Sequence, residues 1–150
     1  MVIGLLKSLP QIPYWYTVYL DNYFTTVGLF STLQEQKIGA CGTTRTHNKD
    51  IPPLICVLKE SKPKMEWNTL CTIPKDNVLC FAWQDNSIVT GLSTVHTVFK
   101  SSDLIERERC HPAKTSTSAQ ITHPVFGDQP QKVLYIPTVI DDYNHHMGGG

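Results

Sequence analysis

An aspartate closes an aromatic, β-branched run in residues 14–26, YWYTVYLDNYFTT. Asp21 stands where an apolar strand gives way to a helix, and two kinds of chemistry fit that place. A carboxylate at the carboxyl end of a sheet strand can hold Mg2+, a hard cation that prefers oxygen ligands. The same group can instead cap the following turn. A two-ion site would need further carboxylates converging from other elements. Asp141 and Asp142, in TVIDDYNHH, are the other acidic candidates. They suit a helix amino terminus equally well, because the helix dipole favours negative charge there. His145 and His146 follow them and raise the question of a metal site. On a helix the i, i+4 spacing instead predicts the ion pairs Asp141–His145 and Asp142–His146. Cys110-His111 has no partner at ligand spacing. The chain has no phosphate-loop motif and no GxSxG, and no spacing singles out a Cys–His nucleophile pair.

Arg45, Lys49, Lys59, Lys62 and Lys64 form a mildly basic stretch, interrupted by Asp50 and Glu60 and followed by Trp67. Such a stretch can touch a phosphate backbone or be a solvated loop. Over the whole chain 13 basic residues balance 13 acidic ones. The global basic excess of a dedicated nucleic-acid binder is therefore missing. The five cysteines include no CxxC pair and follow no secretory signal, so reduced, mostly buried thiols are expected. The opening MVIGLLKSLP holds too short an apolar run for a signal-peptide core or a membrane span. The expectation is a soluble intracellular protein with neither a membrane nor a secreted partner.

The elements that must position these groups follow from periodicity. Apolar residues at 2, 3, 5, 6 and 9 predict a helix ending before Pro10. Residues 14–20 read as a strand. Thr25 or Thr26 can cap a helix through about Lys37, with Val27, Phe30 and Leu33 on one face. IGACGTT, 38–44, reads as a second strand, parallel to the first if both join one sheet. RTHNKDIPPLI is a loop with a proline stop, and KESKPKMEWN is polar. TLCTIP, VLCFAWQD and SIVTGLSTV are short strands separated by turn signals, an antiparallel meander distinct from the α/β start. Residues 100–132, rich in Ser, Thr, Pro and charge, suggest a long flexible linker. VLYIP reads as extended, and TVIDDYNHHM as opening a helix.

Four separated motifs occur here in a telling order: VYLDNYFTTVGLFSTLQEQKIGACGTTR, IPPLI, VLCFAWQDNSIVTGLSTVH and IDDYNHHMGG. Together they resemble piggyBac-type transposases. Asp21 to Thr25 is similar to that family's DNxFT, with Thr26 in place of the usual Ser. Gly42, Thr43 and Arg45 match GTxR, Trp83 and Asp85 match W-x-D, and Tyr143, Asn144 and Met147 to Gly149 match YNxxMGG. The resemblance implies an α/β, partial RNase H-like fold. Residues 1–45 would be a strand-helix-strand core and 46–99 a small, mostly β insertion domain of short antiparallel strands. Residues 100–132 would be the linker, and 133–150 a return to the core at the start of a truncated helix. It implies that Asp21 is the second of the family's catalytic aspartates, a ligand to one of two Mg2+ ions used for DNA strand cleavage and transfer. The first aspartate lies upstream in the family, and the third follows MGGV, where this chain reads MGGG. The expectation is therefore a catalytically incomplete fragment that binds Mg2+ at best weakly. Its partners would be DNA, through the basic 45–64 stretch, or a full-length transposase, and the resemblance implies a nuclear location. The rival readings are a non-catalytic binding module and a gene remnant.

Overall fold

Strand β1, Tyr16–Leu20, turns Tyr16, Val18 and Leu20 to one face of a sheet and Tyr19 to the other, as a two-residue period requires. The computed structural model describes residues 2–3, 16–48, 50–60, 65–96, 103–112 and 119–147. Helix α1, Val27–Glu35, begins where expected. Thr26 is extended, and its hydroxyl accepts the Leu29 amide at 3.1 Å, satisfying one of the free donors of the first turn. Val27, Phe30 and Leu33 are its buried side chains. Lys37, at φ 61°, ends the helical path and turns the chain into β2, Ile38–Thr43.

β1 and β2 pair in parallel, Tyr16 opposite Ile38 and Leu20 opposite Gly42. This is the strand-helix-strand arrangement expected for residues 14–44. Of the amino-terminal helix predicted over residues 2–9, Val2 and Ile3 are helical and the rest lies outside the described residues. The loop expected after the second strand runs into an unforeseen helix, α2, Pro53–Glu60. Its first residue is a proline, whose fixed φ and missing N–H suit the first helical position. Ile55 buries itself in the core and Leu58 packs against it. Adjacent prolines read as a stop in one dimension, yet the second of them starts this helix.

The meander forms as expected: β3, Leu70–Lys75, β4, Val78–Gln84, and β5, Ile88–Ser93. It does not stand apart. β5 pairs antiparallel with β2 through Cys41–Ser93, Gly42–Leu92 and Thr43–Gly91, giving one mixed sheet of order β1-β2-β5-β4-β3. Both faces of the joined sheet are covered, so β4 is buried along nearly its whole length. Val78, Cys80 and Ala82 face α1 and α2, within a cluster that holds Phe30, Leu33, Ile55 and Leu92. Phe81 and Trp83 face the other way, into a cluster with Cys41, Ile136, Val139 and Ile140.

The flexible linker expected over 100–132 is corrected by three elements. These are β6, Leu104–Cys110, helix α3, Ala119–Phe126, and the first residues of β7, Gln131–Pro137. β6 and β7 pair antiparallel as a separate ribbon, and β7 leads directly into α4, Thr138–His146. The charge of LIERERC suggests linker, but its arginines are paired. Arg107 grips Asp141 of α4 through Nε and Nη2 at 2.9 and 3.0 Å, and Arg109 Nη2 reaches Asp85 at 2.9 Å. A bidentate guanidinium–carboxylate pair fixes orientation as well as charge. Composition counts charges but cannot see that they meet.

Candidate functional site

Asp21 lies one residue past β1, and its backbone is held firmly while its side chain stays exposed. The Thr25 hydroxyl, fully buried, donates to the Asp21 carbonyl at 2.7 Å. The Thr25 carbonyl in turn accepts the Thr44 hydroxyl at 3.1 Å and the Asn48 amide at 2.9 Å. Thr44 is bound to β5: its amide donates to the Thr90 carbonyl, and the Thr90 hydroxyl donates to the Thr44 carbonyl, both at 2.8 Å. Thus the turn of the DNYFT motif is tied to the end of the strand carrying GTTR. The Asp21 carboxylate accepts the Tyr23 amide at 3.0 Å, so it does serve the local turn. Its other oxygen is left open to solvent.

α4 reaches the same rim from the second face. The Tyr143 hydroxyl lies 3.2 Å from Thr43 Oγ1, at the end of β2. The His146 ring stacks on Tyr19, with centroids 4.2 Å apart and planes 3° from parallel. Tyr19 precedes Asp21 by two residues, so strand alternation carries position 21 toward the α4 face. Burial and the nearby Asp142 carboxylate raise the pKa of Tyr19, keeping it a neutral stacking partner.

The ion pairs expected within α4 are corrected. Asp141 is taken by Arg107, while Asp142 Oδ2 lies 2.8 Å from His96 Nε2. His96 Nδ1 is 2.7 Å from Ser93 Oγ, so Asp142, His96 and Ser93 form a chain joining α4 to the end of β5. His146 Nδ1 meets the Asp142 backbone carbonyl at 2.8 Å rather than its carboxylate. Tertiary partners outcompete the helical neighbours because β6 and the segment after β5 both lie against α4. Ser93 is 1% exposed, so the hydroxyl of this Ser–His–Asp chain cannot meet a substrate. The chain anchors α4.

Three motifs meet in one cavity of about 200 Å3 beside α4. Thr43 comes from GTTR, Trp83 and Asp85 from the W-x-D segment, and Tyr143 and Asn144 from YN, with Phe81 in the wall. Trp83 donates its Nε1–H to Asn68 Oδ1 at 2.9 Å. The Arg109 guanidinium lies 5.4 Å from the Trp83 ring centroid and 5.6 Å from that of Trp67, a cation–π placement. No charge count or spacing in the sequence signalled Arg109 or His96. The Asp85–Arg109 pairing needed the ribbon's position.

The remaining candidates do not converge. Arg45 is exposed, while Lys59 donates to the Ile88 carbonyl of β5. Lys49, Lys62 and Lys64 lie outside the described residues. Cys110 is exposed, and His111 Nδ1 contacts the Pro112 carbonyl at 2.6 Å. His145 stands edge-on to His146, with ring centroids 5.2 Å apart. Among the described residues no three His, Cys, Asp or Glu side chains gather in a way that could hold a metal ion. Asp21 offers an exposed carboxylate that, among the described residues, belongs to no such group of three. An exposed carboxylate of this kind can serve as one oxygen ligand to a divalent ion.

Two comparisons bear on this geometry. A family profile described as Transposase IS4 matches residues 1–150. The chain belongs to this transposase family. Its relatives are the IS4/piggyBac-type DDE transposases of transposable elements, the enzymes of DNA transposition. DDE transposases generally use divalent metal ions. The fold of this transposase-derived chain is similar to that of a piggyBac transposase solved by cryo-electron microscopy as a synaptic complex with hairpin DNA. The TM-score is 0.62 at 18% sequence identity, over 99% of this chain. The matched region is 24% of that transposase, so the chain spans about a quarter of its length.

The thiol on the α4 face of β2 gives a test of this packing. Burial pushes the Cys41 thiol up to about 12, against a partly offsetting hydrogen bond from Ser93. The unfolded thiol ionises near its ordinary value of about 8.5. The folded chain therefore binds the proton more tightly, and the resulting stability is intact below about pH 8.5 and lost as pH climbs toward 12. The unfolding free energy from urea melts is expected to fall through this alkaline window, by about 1.4 kcal/mol per pH unit for this one thiol. Cys41→Ala should flatten the decline. An equally steep decline in that variant would place its cause elsewhere.

Proposed function

We propose that this chain is a piece of a DDE catalytic core, partly RNase H-like, that contributes Asp21 to a divalent-ion site but does not complete that site. The observation that carries the reading is the convergence at one rim. Tyr143 meets Thr43 there, His146 stacks on Tyr19, and Asp21 stands at the end of the strand between them and solvent. A catalytic carboxylate must be exposed yet rigidly placed, and the Thr25–Thr44–Thr90 network supplies that combination. When bound, a divalent ion would polarise phosphate and water oxygens. The chain's own part would be to present one carboxylate and hold the rim.

The expected behaviour is binding of DNA without cutting it. Arg45, exposed two residues past β2, would supply a phosphate contact; non-specific binding of this kind falls in the range of roughly 1–100 µM at physiological salt and weakens as salt rises. The DNA named in the similar transposase's complex supports the choice of ligand. A second reading, docking onto a longer transposase, is favoured by one feature: among the described strands β1 borders the sheet, with β2 as its neighbour. A bordering strand presents unpaired backbone groups that another strand can take up. A nuclear location would follow from either role. No helix of the described residues is long and apolar enough to cross a membrane.

The test is a gel shift with duplex and hairpin oligonucleotides, followed by incubation with Mg2+. A salt-sensitive shift with intact strands is expected. Nicking by the 150-residue chain that disappears in Asp21→Asn would overturn the incompleteness. Failure to shift any oligonucleotide at about 100 µM protein would overturn the DNA role.

A further inference from the structure

The ribbon of β6 and β7 sorts its charges by face. On the inner side Ile105 stands opposite Ile136 against the second core cluster, while Arg107 and Arg109 reach Asp141 and Asp85. Strand alternation sends Leu104, Glu106 and Glu108 to the outer side, with Tyr135 opposite Glu106 and Val133 opposite Glu108. All five are exposed, the apolar ones heavily: Leu104 47%, Val133 57% and Tyr135 59%. Glu106 accepts the Tyr135 hydroxyl, and an ionised carboxylate keeps lone pairs for a further partner. Neither glutamate enters an ion pair with another described residue, although both arginines of the same strand do. Cys110 and Gln131 close the end of the face, so β6 and β7 place no lysine or arginine on it. The result is two rows side by side, acidic along β6 and apolar along β7, with Leu104 at one end.

We infer that the outer face of this ribbon is a docking surface for a basic amphipathic helix of a partner protein. Single exposed apolar side chains need no explanation, but neighbouring Leu, Val and Tyr side chains on one ribbon face form a patch. Tyrosine is enriched at interfaces, where it supplies contact area at small entropic cost. Charge decides the occupant. A nucleic acid is repelled by a face whose charges are all negative. A second copy laid face to face would bury glutamates from both chains with no cation on either surface, which is costly. An extended segment lying on the face offers only one row of side chains, because alternate residues point away. A helix offers two adjoining rows. Its apolar stripe covers Tyr135 and Val133, and its lysines or arginines reach Glu106 and Glu108. The two glutamates stand two residues apart on an extended strand, about 7 Å. Cations one helical turn apart, about 5.4 Å, span that distance with their flexible stems.

This docking surface does not depend on DNA binding, and the experiment keeps the two apart. The probe is a labelled peptide of about 18 residues, above the length at which isolated helices become marginal, with leucines and lysines on adjoining faces and alanine elsewhere. A second peptide carries glutamate in place of lysine, and fluorescence anisotropy reads the binding of each to the full chain. The lysine peptide is expected to bind and the glutamate peptide not. Glu106→Gln combined with Glu108→Gln should weaken the lysine peptide about tenfold, and so should Tyr135→Ser. Glu106→Lys with Glu108→Lys should transfer the preference to the glutamate peptide. All these side chains are exposed, so thermal midpoints should stay near that of the wild-type chain. Lack of binding by the lysine peptide at about 100 µM, or equal binding to the double glutamine variant, would overturn the surface. A dimer in sedimentation that Tyr135→Ser dissociates would give the face to a second copy and overturn the partner helix. The oligonucleotide gel shift should be unchanged in the double glutamine variant; its loss there would assign the face to DNA instead.

Discussion

Phe30→Ala is expected to lower the thermal midpoint by roughly 6–20 °C, corresponding to a loss of about 3–5 kcal/mol. Phe30 is fully buried and stands at the middle of the α1 face that meets the sheet. Its neighbours in the core come from several elements: Leu33 beside it, Ala40 of β2, Ile55 of α2 and Leu92 of β5. Truncation removes the ring's transfer free energy and leaves a void that α1 and α2 cannot both close. Domains of this size are stable by only about 5–15 kcal/mol, so the loss is a large fraction of the total. Differential scanning calorimetry reads the effect. Phe30→Leu, which keeps most of the volume, should lie between the wild-type chain and the alanine variant. A change of less than about 1 kcal/mol on truncation would mean that α1 does not seat on the sheet as described.

The second large effect lies in a glycine. A Cβ at Gly42 would run into the Leu20 carbonyl oxygen and stand 2.6 Å from Thr25 Oγ1. Both atoms belong to the end of β1 and the turn that carries Asp21. The carbonyl is backbone and cannot swing aside, while Thr25 Oγ1 is already committed to the Asp21 carbonyl. Gly42→Ala must therefore push β1 away from β2 or break the Thr25 bond. Either outcome should cost about 1–3 kcal/mol, the usual range for overpacking, and Gly42→Val more. Gly28, in contrast, sits on the exposed side of α1, where an added methyl would meet nothing within 4 Å. Gly28→Ala should stabilise the chain by about 0.5–1 kcal/mol, through helix propensity. Urea midpoints of the two alanine variants should move in opposite directions. Stabilisation by Gly42→Ala would show that the strand ends do not approach so closely.

The same close approach explains why GTTR and DNYFT belong together. Gly42 lets the strand ends touch, Thr44 reaches the Thr25 carbonyl, and Thr25 reaches the Asp21 carbonyl. The aspartate is thus positioned by a glycine and two threonines, not by charge. A change in any of them should displace the carboxylate before it disturbs the core.

Much of this molecule is legible in order along the chain. Residues 16–43 alternate and then repeat at helical spacing, with Thr26 as a cap, and they fold as strand, helix and parallel strand. The three meander strands fall at their turn signals, and Pro137 marks the entry to α4. These features are local: period, cap and turn chemistry act within a few residues, so sequence alone determines them. Ordered motifs also point to the transposase family. Charge partnership is not legible. Arg107 and Arg109 read as linker composition, and helical spacing offers Asp141 and Asp142 to histidines four residues away. The true pairs are Arg107–Asp141, Arg109–Asp85 and His96–Asp142, whose members stand 34, 24 and 46 residues apart. The joining of the meander to the first sheet, and the cavity where three motifs meet, are likewise decided only by tertiary structure. Such contacts depend on which faces the chain folds together, and a one-dimensional pattern does not encode that choice.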